Sequence, residues 1–531
     1  MKQEKNKMHK VDNAIILAAG FGSRFVPLTF DLPKGLIPVK GTPMVERQIV
    51  QLKEKNIHEI VIVVGYLKEK FDYLIDRYNV SLVFNPEFTI KNNLSSLYCT
   101  RNYLKNTYIL SADNWIENSI FNTYEDESWY SCIYKKGETS EWCVTTDDSG
   151  RIINVIVGGQ DSWVMLGPVF LSESFSDRFR NKIEEYYHKT GTENYMWENV
   201  FIDEIDKFDL YINKQSGDNV YEFENLEELR VFDPDYGNDT LNKSLKIISN
   251  VFNVGEKKII GFQCMKSGMT NKSFSFTIGN ASYIFRKPGE GSDILINRKQ
   301  EKAVYNAITK LHISDENIYL NENTGEKISI FYPNAVNTDA HKLIDIQDSM
   351  KILQRVHRCG ILVGHSFDIG NEIERYMLLC QGKNAMRFTD YKNVHKNMKR
   401  LFLIVERFKI PQVLCHVDCN PDNFIRLRDN TIKIIDWEYS GMGDPLMDIA
   451  MYSIYAYYTK EEALRLLSIY LNRQPERNEI LRLYAYMALG GYLWSLWAEY
   501  KQAFGVEFGN YGMKMYRYAK EYYVHFMDQE E

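Results

Sequence analysis

The sequence contains no hydrophobic run that is long enough to cross a lipid bilayer. Its apolar stretches, among them residues 14–19 and 60–64, are far shorter than the roughly 20 residues that a transmembrane helix needs. The first stretch follows a basic segment, residues 1–10, as in a secretion signal, but it is too short for one and continues into a glycine loop. We therefore expect neither a transmembrane segment nor a signal peptide.

The sequence also lacks paired cysteines and an excess of positive charge. Its eight cysteines are dispersed and form no Cys-x-x-Cys pair, which argues against a zinc site and against a disulfide framework. This usage fits a reducing cytoplasm, which is the predicted location. Because the formal net charge is −7, no overall positive field favours nucleic acid, and the expected partners are small molecules or proteins.

The chain of 531 residues, 44% of them hydrophobic, is too long for a single hydrophobic core. In its first half, short apolar strands alternate with amphipathic helices, which predicts an α/β domain with a mostly parallel sheet covered on both faces. The predicted strands are residues 14–18, 59–64, 81–84 and 107–111, and the predicted helices are residues 44–55 and 68–78.

The second half has a different order of elements. Predicted strands at residues 273–278 and 281–285 precede a predicted helix at 294–309, and a strand at 431–435 precedes long helical stretches. Strands followed by helices predict an α+β domain with two lobes. Turn-forming residues at 232–240 mark the junction. The predicted boundaries are 1–232 for the first domain, 233–250 for a linker and 251–531 for the second domain.

A glycine loop follows the first predicted strand. Gly20 and Gly22 would let backbone N–H groups approach a triphosphate, and Arg24 and Lys34 could offset its charge. The pattern is neither a dinucleotide-binding fingerprint nor a Walker loop. Taken alone, such a loop is more often an ordinary tight turn.

A longer series of motifs makes this site more specific. It comprises Ala14-Ile15-Ile16-Leu17-Ala18-Ala19-Gly20, Gly22-Ser23-Arg24, Pro27-Leu28-Thr29, Pro33-Lys34, Val63-Val64-Gly65-Tyr66, Asn92-Asn93, Asp113-Asn114, Glu141-Trp142 and Trp197-Glu198-Asn199. Together they resemble the nucleoside-triphosphate transferase family, and within it the bacterial CTP:phosphocholine cytidylyltransferases. The resemblance implies a Rossmann-like fold, CTP as a substrate, and Arg24 and Lys34 as catalytic cations. The nucleotide contacts that it implies are Leu17, Ala19, Gly20, Gly22, Ser23 and Asn92.

The transfer chemistry requires a metal, and Asp113 is its first candidate ligand. This residue follows an apolar strand, where its carboxylate can bind Mg²⁺ between the nucleotide and the incoming phosphate. The alternative role is that of a helix N-cap. By the resemblance, the second ligand is Glu224, which stands where the family usually has an aspartate. Glu222 and Glu198 stay open as alternatives.

The acceptor of the transfer would be a phosphomonoester. Because its oxygen is already anionic near neutral pH, positioning and charge neutralisation should set the rate, without a general base. A quaternary ammonium group prefers aromatic faces together with a carboxylate. The candidates for such a pocket are Trp142, Tyr195, Trp197 and Glu198, although aromatic residues also fill cores.

The strongest local motif lies in the second half. It is His416-Val417-Asp418-Cys419-Asn420-Pro421-Asp422-Asn423-Phe424, followed by Ile434-Ile435-Asp436-Trp437-Glu438. It resembles the catalytic loop of the choline kinase and aminoglycoside phosphotransferase superfamily, and the resemblance implies a two-lobed, protein-kinase-like fold. Asp418 would then orient the acceptor hydroxyl and take its proton, while Asn423 and Asp436 would hold Mg²⁺ on the phosphates of ATP.

Upstream residues fit the ATP site of the same superfamily. Thr270 and Asn271 lie in a segment that resembles its phosphate-covering loop. Arg286 offers the phosphate-contacting cation, with Lys287 as the competing candidate, and Glu301 offers a carboxylate to pair with it. The adenine would lie against residues 329–334.

The acceptor of the kinase would be choline. Trp494 and Trp497 stand at i and i+3 of a predicted helix and could hold a trimethylammonium group, although core packing is the ordinary role for such a pair. Together with Glu438 they resemble the pocket of choline kinases. An aminoglycoside would instead need many acidic residues, and the tail of the chain shows no such cluster.

The two resemblances predict consecutive reactions. Choline and ATP would give phosphocholine, and phosphocholine and CTP would give CDP-choline and pyrophosphate, with Mg²⁺ in both domains. One alternative is a sugar-1-phosphate or phosphoethanolamine nucleotidyltransferase joined to a kinase for ethanolamine or another amino alcohol. Another is that one half is an inactive nucleotide sensor, against which the intact Asp113, Asp418, Asn423 and Asp436 argue.

Overall fold

The computed structural model describes residues 8–237, 240, 242–265, 271–289, 291–505 and 508–530. The chain divides into two compact units, residues 1–264 and 265–531. Residues 233–250, predicted as a linker, lie within the first unit. No helix in the described part of the chain is long and apolar enough to span a membrane.

The first unit alternates strands and helices as predicted. Its principal strands are β1 (Asn13–Ala18), β2 (Glu59–Val64), β3 (Ser81–Phe84), β4 (Thr107–Ser111), β5 (Asn114–Ile116), β6 (Trp129–Thr146), β7 (Ile152–Leu171), β8 (Tyr211–Gln215), β9 (Val220–Glu222) and β10 (Ile259–Cys264). Its helices are α1 (Met44–Glu54), α2 (Tyr73–Tyr78), α3 (Asn93–Cys99), α4 (Glu173–Tyr187), α5 (Trp197–Asp203), α6 (Leu226–Phe232) and α7 (Lys243–Phe252). The predicted helix at 68–78 is wrong in its first turn, because residues 68–71 form a 3₁₀ turn instead.

Seven strands form one mixed sheet in the order β8-β6-β7-β4-β1-β2-β3. The pairs β1–β2, β1–β4, β2–β3 and β6–β8 are parallel, and the pairs β6–β7 and β4–β7 are antiparallel. Both faces of β1 are buried: Ile16 packs with α1, and Ile15 packs into a second cluster that includes Phe179 of α4. The prediction of a mostly parallel sheet covered on both faces is therefore confirmed.

The order of the strands in this sheet brings the candidate site residues of the first unit together. The carboxyl ends of the adjacent parallel strands β1 and β4 lie at one edge of the sheet, and ligands of α/β folds collect at such edges. The chain leaves β1 into the glycine loop and leaves β4 into Asp113. Strands β5 and β9 then pair with Glu222 opposite Asn114, which brings the segment around Glu222 to the same edge.

The second unit begins with strands and continues with helices. Its strands are β11 (Asn271–Ile278), β12 (Ala281–Pro288), β13 (Asn317–Leu320), β14 (Lys327–Ile330), β15 (Val413–Cys415), β16 (Phe424–Arg426), β17 (Ile432–Ile434) and β18 (Gly441–Gly443). Its helices are α8 (Ser292–Leu295), α9 (Arg298–Ile308), α10 (Leu343–His357), α11 (Ile369–Gly382), α12 (Tyr391–Val405), α13 (Pro445–Tyr455), α14 (Lys460–Leu471), α15 (Arg477–Gln502) and α16 (Tyr511–Glu530).

The predicted order of this unit, with a strand part followed by a helical part, is confirmed. Antiparallel pairs join β11 to β12, β12 to β14 and β13 to β14. Helix α15 is the centre of the helical part, since every residue from Leu481 to Lys501 is buried. The predicted helix at 294–309 is interrupted, because Ile296 is extended and Asn297 starts α9 by accepting a hydrogen bond from Gln300 N–H.

Candidate active sites

The glycine loop of the first unit has the geometry of an anion-binding turn. Gly22 is in the left-handed region, with φ 68°, and a Cβ atom on it would lie 3.0 Å from Cβ of Lys34. The hydroxyl of Thr29 donates to the carbonyl oxygen of Gly22 (3.0 Å), which fixes the turn. The left-handed backbone angle and the close Lys34 side chain therefore both favour glycine at this position.

A cavity of about 220 Å³ lies beside this loop. It brings together most of the predicted nucleotide-binding residues, namely Leu17, Ala19, Gly20, Gly22, Lys34, Asn92 and Asp113. Ser23, by contrast, is exposed and is not among the lining residues. Asn92 also caps α3, because its side-chain oxygen accepts a hydrogen bond from the N–H of Asn93.

Lys34 and Asp113 form an ion pair across the cavity, with 2.7 Å between Nζ and Oδ2. Partial burial opposes ionisation of Asp113, but the ammonium group of Lys34 outweighs it and lowers the pKa of the carboxyl. Asp113 is therefore ionised at neutral pH. An ionised carboxylate at the end of a strand is a donor that fits Mg²⁺.

The three candidates for the second metal ligand lie in different surroundings. Glu224 pairs directly with Arg24. Glu222 is affected by the charge of Asp113: desolvation in the cleft, followed by repulsion from Asp113, raises the pKa of Glu222 to about 7. Carboxylates that repel each other are suited to share a divalent cation, because the cation removes the repulsion.

Glu198 lies deeper in the unit. Burial raises its pKa to about 7. The hydroxyl of Tyr130 donates to its Oε1 (3.1 Å), and its Oε2 is buried without a hydrogen-bond partner among the described residues. Trp197, which was predicted to bind substrate, is 2% exposed and packs against Tyr130 and Phe179 with ring centroids 6.0 Å away in each case. It lies in the core of the unit.

The remaining predicted acceptor residues of the first unit are Trp142 and Tyr195. Both are partly buried and pack against the same core cluster. Trp142 lies on β6, in the long hairpin that β6 forms with β7. Neither residue lines the cavity beside the glycine loop.

The predicted catalytic loop of the second unit surrounds Asp418. The side-chain amide of Asn423 donates to Oδ2 of Asp418 (3.1 Å), and the hydroxyl of Tyr455 donates to Oδ1 (2.7 Å). His416 braces the loop, as its Nε2 donates to the carbonyl oxygen of Ile435 (2.9 Å). Burial raises the pKa of Asp418.

A buried carboxylate holds the backbone just before Asp418. Val417 has φ 71°, a left-handed conformation that is costly for a β-branched residue. Asp448 accepts hydrogen bonds from the N–H groups of His416 and Val417, both at 2.8 Å, and lies 2.9 Å from Nε2 of His357. These contacts maintain the strained backbone.

Arg286, rather than Lys287, occupies the centre of the ion-pair network. Its guanidinium lies 2.7 Å from Oε1 of Glu301 and 3.1 Å from Oδ1 of Asp436, and the residue is 5% exposed. Arg298, which the sequence analysis did not identify, pairs with both Glu301 and Glu438 at 2.8 Å. A planar guanidinium can serve two carboxylates in this way, whereas an ammonium group is a point charge.

The structure places Glu438 in this network rather than beside the tryptophans. Its carboxylate lies near Arg298 and near the side-chain amide of Asn271, which is 3.5 Å away. Burial and the nearby charge of Asp436 raise the pKa of Glu438 to about 7. Thr270, the other residue predicted in the phosphate-covering loop, lies outside the described residues.

One cavity of about 850 Å³ joins the predicted catalytic residues to the aromatic ones. Its lining includes Asn271, Arg286, residues 329–332 of the predicted adenine-binding segment, Asp418, Asn423, Asp436, Tyr439, Tyr455, Trp494, Trp497 and Tyr511. The rings of Trp494 and Trp497 are edge to face with centroids 6.4 Å apart, and the edge of Tyr439 meets Trp494 at 5.2 Å. Aromatic walls of this kind can bind a desolvated cation.

Two family models match the chain. The model for nucleotidyl transferases matches residues 13–154, and the model for choline/ethanolamine kinases matches residues 262–520. The chain is therefore a transferase that belongs to the nucleotidyl transferase family in its first part and to the choline/ethanolamine kinase family in its second part.

Curated relatives match one unit each. A choline-phosphate cytidylyltransferase of Streptococcus pneumoniae is 36% identical over 217 residues, which are 41% of this chain and 95% of the relative. A 2-aminoethylphosphonate cytidylyltransferase of Lancefieldella rimae is 39% identical over 228 residues, 42% of this chain and 93% of the relative. Protein LicA of Haemophilus influenzae is 27% identical over 257 residues, 46% of this chain and 95% of the relative.

Proposed function

We propose that this chain makes CDP-choline in two steps. It phosphorylates choline with ATP, and it then transfers the cytidylyl group of CTP to the phosphocholine, which releases pyrophosphate. The observation that carries the proposal is that Asp418 shares one cavity with Trp494 and Trp497. Choline presents the two matching groups, a hydroxyl and a quaternary ammonium. The similarity of the first unit to choline-phosphate cytidylyltransferase supports the second step.

In the kinase step, the choline oxygen bonds to the γ-phosphorus of ATP while its proton passes to Asp418. The bond between this phosphorus and the bridging oxygen breaks, and ADP leaves with the electron pair. The raised pKa of Asp418, which results from burial, makes its carboxylate a better proton acceptor. Asn423 and Asp436 offer oxygen donors that fit Mg²⁺, which would neutralise charge on the phosphates.

In the transfer step, an oxygen of phosphocholine bonds to the α-phosphorus of CTP, and the bond to the departing pyrophosphate breaks. No proton has to move, so the protein contributes position and charge. Arg24 and Lys34 are the cations that we assign to the phosphates. We assign Mg²⁺ to Asp113 and Glu222, because the two carboxylates repel each other and a shared divalent cation would remove that repulsion. The metal would supply charge neutralisation.

The acceptor of the transfer step has a second candidate. The similarity to a 2-aminoethylphosphonate cytidylyltransferase favours a primary ammonium group, which could donate a hydrogen bond where a trimethylammonium group could not. The second unit argues for phosphocholine. A kinase transfers phosphorus to oxygen, so its product is a phosphate ester and never a phosphonate with a carbon–phosphorus bond.

We assign the protein to the cytoplasm. All eight of its cysteines are free, and five of them are buried, which suits a reducing compartment. ATP and CTP, the two nucleotide substrates, are both available there.

The test is product analysis with two variants that separate the activities. Purified protein is incubated with choline, ATP, CTP and Mg²⁺, and the products are identified by mass spectrometry. The Asp418→Asn variant should form no phosphocholine from choline, but it should still convert added phosphocholine to CDP-choline. The Asp113→Asn variant should accumulate phosphocholine and form no CDP-choline. Parallel reactions with ethanolamine and with 2-aminoethylphosphonate determine the preferred acceptors.

Each outcome has a definite meaning. If no phosphocholine forms from choline, the kinase assignment is wrong. If CDP-choline does not form from phosphocholine while 2-aminoethylphosphonate is converted, the second candidate acceptor replaces the first. If either variant loses both activities while it remains folded, the two sites are not independent.

A further inference from the structure

We propose that Tyr455 is a positioning residue of the kinase site, which fixes the Asp418 carboxylate through its hydroxyl and forms part of the ammonium pocket with its ring. The inference rests on the proposed choline kinase activity and deepens it. Tyr455 belongs to no motif in the sequence and lies 37 positions after Asp418 along the chain.

The position of Tyr455 follows from helix α13. Asp448 and Tyr455 are seven residues apart on this helix, which is about two turns, so they share a face. Asp448 binds the N–H groups of His416 and Val417, and Tyr455 binds the side chain of the next residue, Asp418. One helix face therefore holds the catalytic loop at its backbone and at its reacting carboxylate.

The hydrogen bonds divide the oxygens of Asp418 between two partners. Tyr455 donates to Oδ1 at 2.7 Å, and Asn423 donates to Oδ2 at 3.1 Å. A carboxylate has about four lone-pair sites, so each oxygen keeps capacity for an acceptor hydroxyl. The two donors prevent rotation of the carboxylate, which fixes the direction in which it can accept a proton. In the transfer that follows, the proton of the choline hydroxyl passes to Asp418, and Tyr455 keeps its own proton.

The ring of Tyr455 lies among the aromatic residues of the same cavity. Its centroid is 6.0 Å from that of Trp494 and 6.5 Å from that of Tyr511. Unlike the two tryptophans, which are almost fully buried, Tyr455 is only partly buried and is accessible from the cavity. The hydroxyl of Tyr455 therefore contacts the Asp418 carboxylate, and the ring of Tyr455 can face an ammonium group. In choline, only a short linker joins the reacting hydroxyl to the ammonium group.

The hydroxyl and the ring of Tyr455 should affect different kinetic constants, kcat and KM for choline. Tyr455→Phe removes the hydroxyl and keeps the ring. We expect kcat for choline phosphorylation to fall by about 10- to 100-fold, the range for loss of a hydrogen bond to a charged group, with KM for choline unchanged. Tyr455→Leu also removes the ring, so we expect the same loss in kcat and a higher KM for choline.

Tyr452→Phe is the matched control. Tyr452 lies on the same helix, is fully buried, and makes no hydrogen bond to Asp418 among the described contacts. We expect it to retain the kcat of the wild-type protein. Cytidylyl transfer from CTP to added phosphocholine, measured on the same preparations, should be equal in all variants and serves as the check on intact protein.

The inference is overturned if Tyr455→Phe retains full kcat, if it raises KM for choline instead of lowering kcat, or if Tyr452→Phe loses as much kcat as Tyr455→Phe. A wild-type protein that does not phosphorylate choline would refute the proposed function itself. That result is distinguishable, because it concerns the unmodified chain.

Discussion

We expect Asp448→Ala to destabilise the second unit and to abolish its kinase activity. Asp448 is 0% exposed and accepts hydrogen bonds from two backbone N–H groups and from His357. Its removal leaves those donors buried without a partner, at a cost of about 1–3 kcal/mol each, and allows the strained Val417 to relax. Because neighbouring terms do not add fully, we expect a loss of about 3–5 kcal/mol in the free energy of unfolding.

The assay is urea denaturation followed by circular dichroism, together with both enzyme activities. The transition of the second unit should move to lower urea, and cytidylyl transfer should be retained. Asp390→Ala is the control. Asp390 is also hydrogen-bonded, to Tyr516 and to Lys520, but its side chain is 44% exposed, so its loss should cost less than about 1 kcal/mol. An unchanged transition and normal kinase activity in Asp448→Ala would refute the reasoning.

Low pH should weaken the hydrogen bonds that Asp448 accepts. Burial opposes the charge on Asp448, but the hydrogen bonds and positive charge of His357 and the loop amides outweigh it and lower the pKa of the carboxyl. A group with a lowered folded pKa stabilises the fold above its unfolded pKa and loses that contribution as the pH falls through the folded value. The difference in stability between wild type and Asp448→Ala should therefore shrink below about pH 4, the unfolded value for Asp.

Three further variants test other parts of the two sites. Gly22→Ala should raise KM for CTP and lower cytidylyl transfer, measured by pyrophosphate release, because a Cβ atom would lie 3.0 Å from Lys34 at a φ of 68°. Arg286→Lys should lower kcat of the kinase about 10-fold or more, since one ammonium group cannot replace the fork that serves Glu301 and Asp436. Glu198→Gln should become more stable than wild type in urea as the pH rises from 5 to 8. Burial raises the pKa of Glu198 in the folded protein to about 7, above its unfolded value of about 4, so the wild type alone loses stability as the pH rises between these two values, and the difference is constant above about pH 7.

The centre of the first unit's sheet could be predicted because its central strands, β1, β2 and β4, are largely buried on both faces. The strand Glu59–Val64 is an almost continuous apolar run, and so its type and limits are evident from composition. The hairpin of β6 and β7 was not predicted. Its outer half is partly exposed, with Val157 74% exposed, and its register is irregular, so no clear alternation identifies it.

The residues of the two sites that lie in contiguous motifs were predictable, and those set by long-range packing were not. Gly22, Lys34 and Asp418 occur in strings with a fixed local chemistry. The choice between Glu222 and Glu224 depends on the pairing of β9 with β5, which composition does not encode. For this reason the second metal ligand stays a prediction.

The same limit applies to the kinase network and its pocket. Arg298 stands on an ordinary amphipathic helix, and only the fold brings it to Glu438, 140 residues away. Glu438 was predicted beside Trp494 because the two resemble a known pocket together, but the ion pair with Arg298 holds its carboxylate elsewhere. Tyr455 has no local signal, because an aromatic residue at the end of an apolar helix is usual in any core.

The central claim is that phosphorus from ATP passes through phosphocholine into CDP-choline on one polypeptide. Purified protein should be given choline, unlabelled CTP, Mg²⁺ and ATP labelled in its γ-phosphate, and the label should be traced by mass spectrometry of the products. The account predicts label in phosphocholine and in the choline-linked phosphate of CDP-choline, with none in pyrophosphate. CDP-choline without label, or label recovered in pyrophosphate, would contradict it.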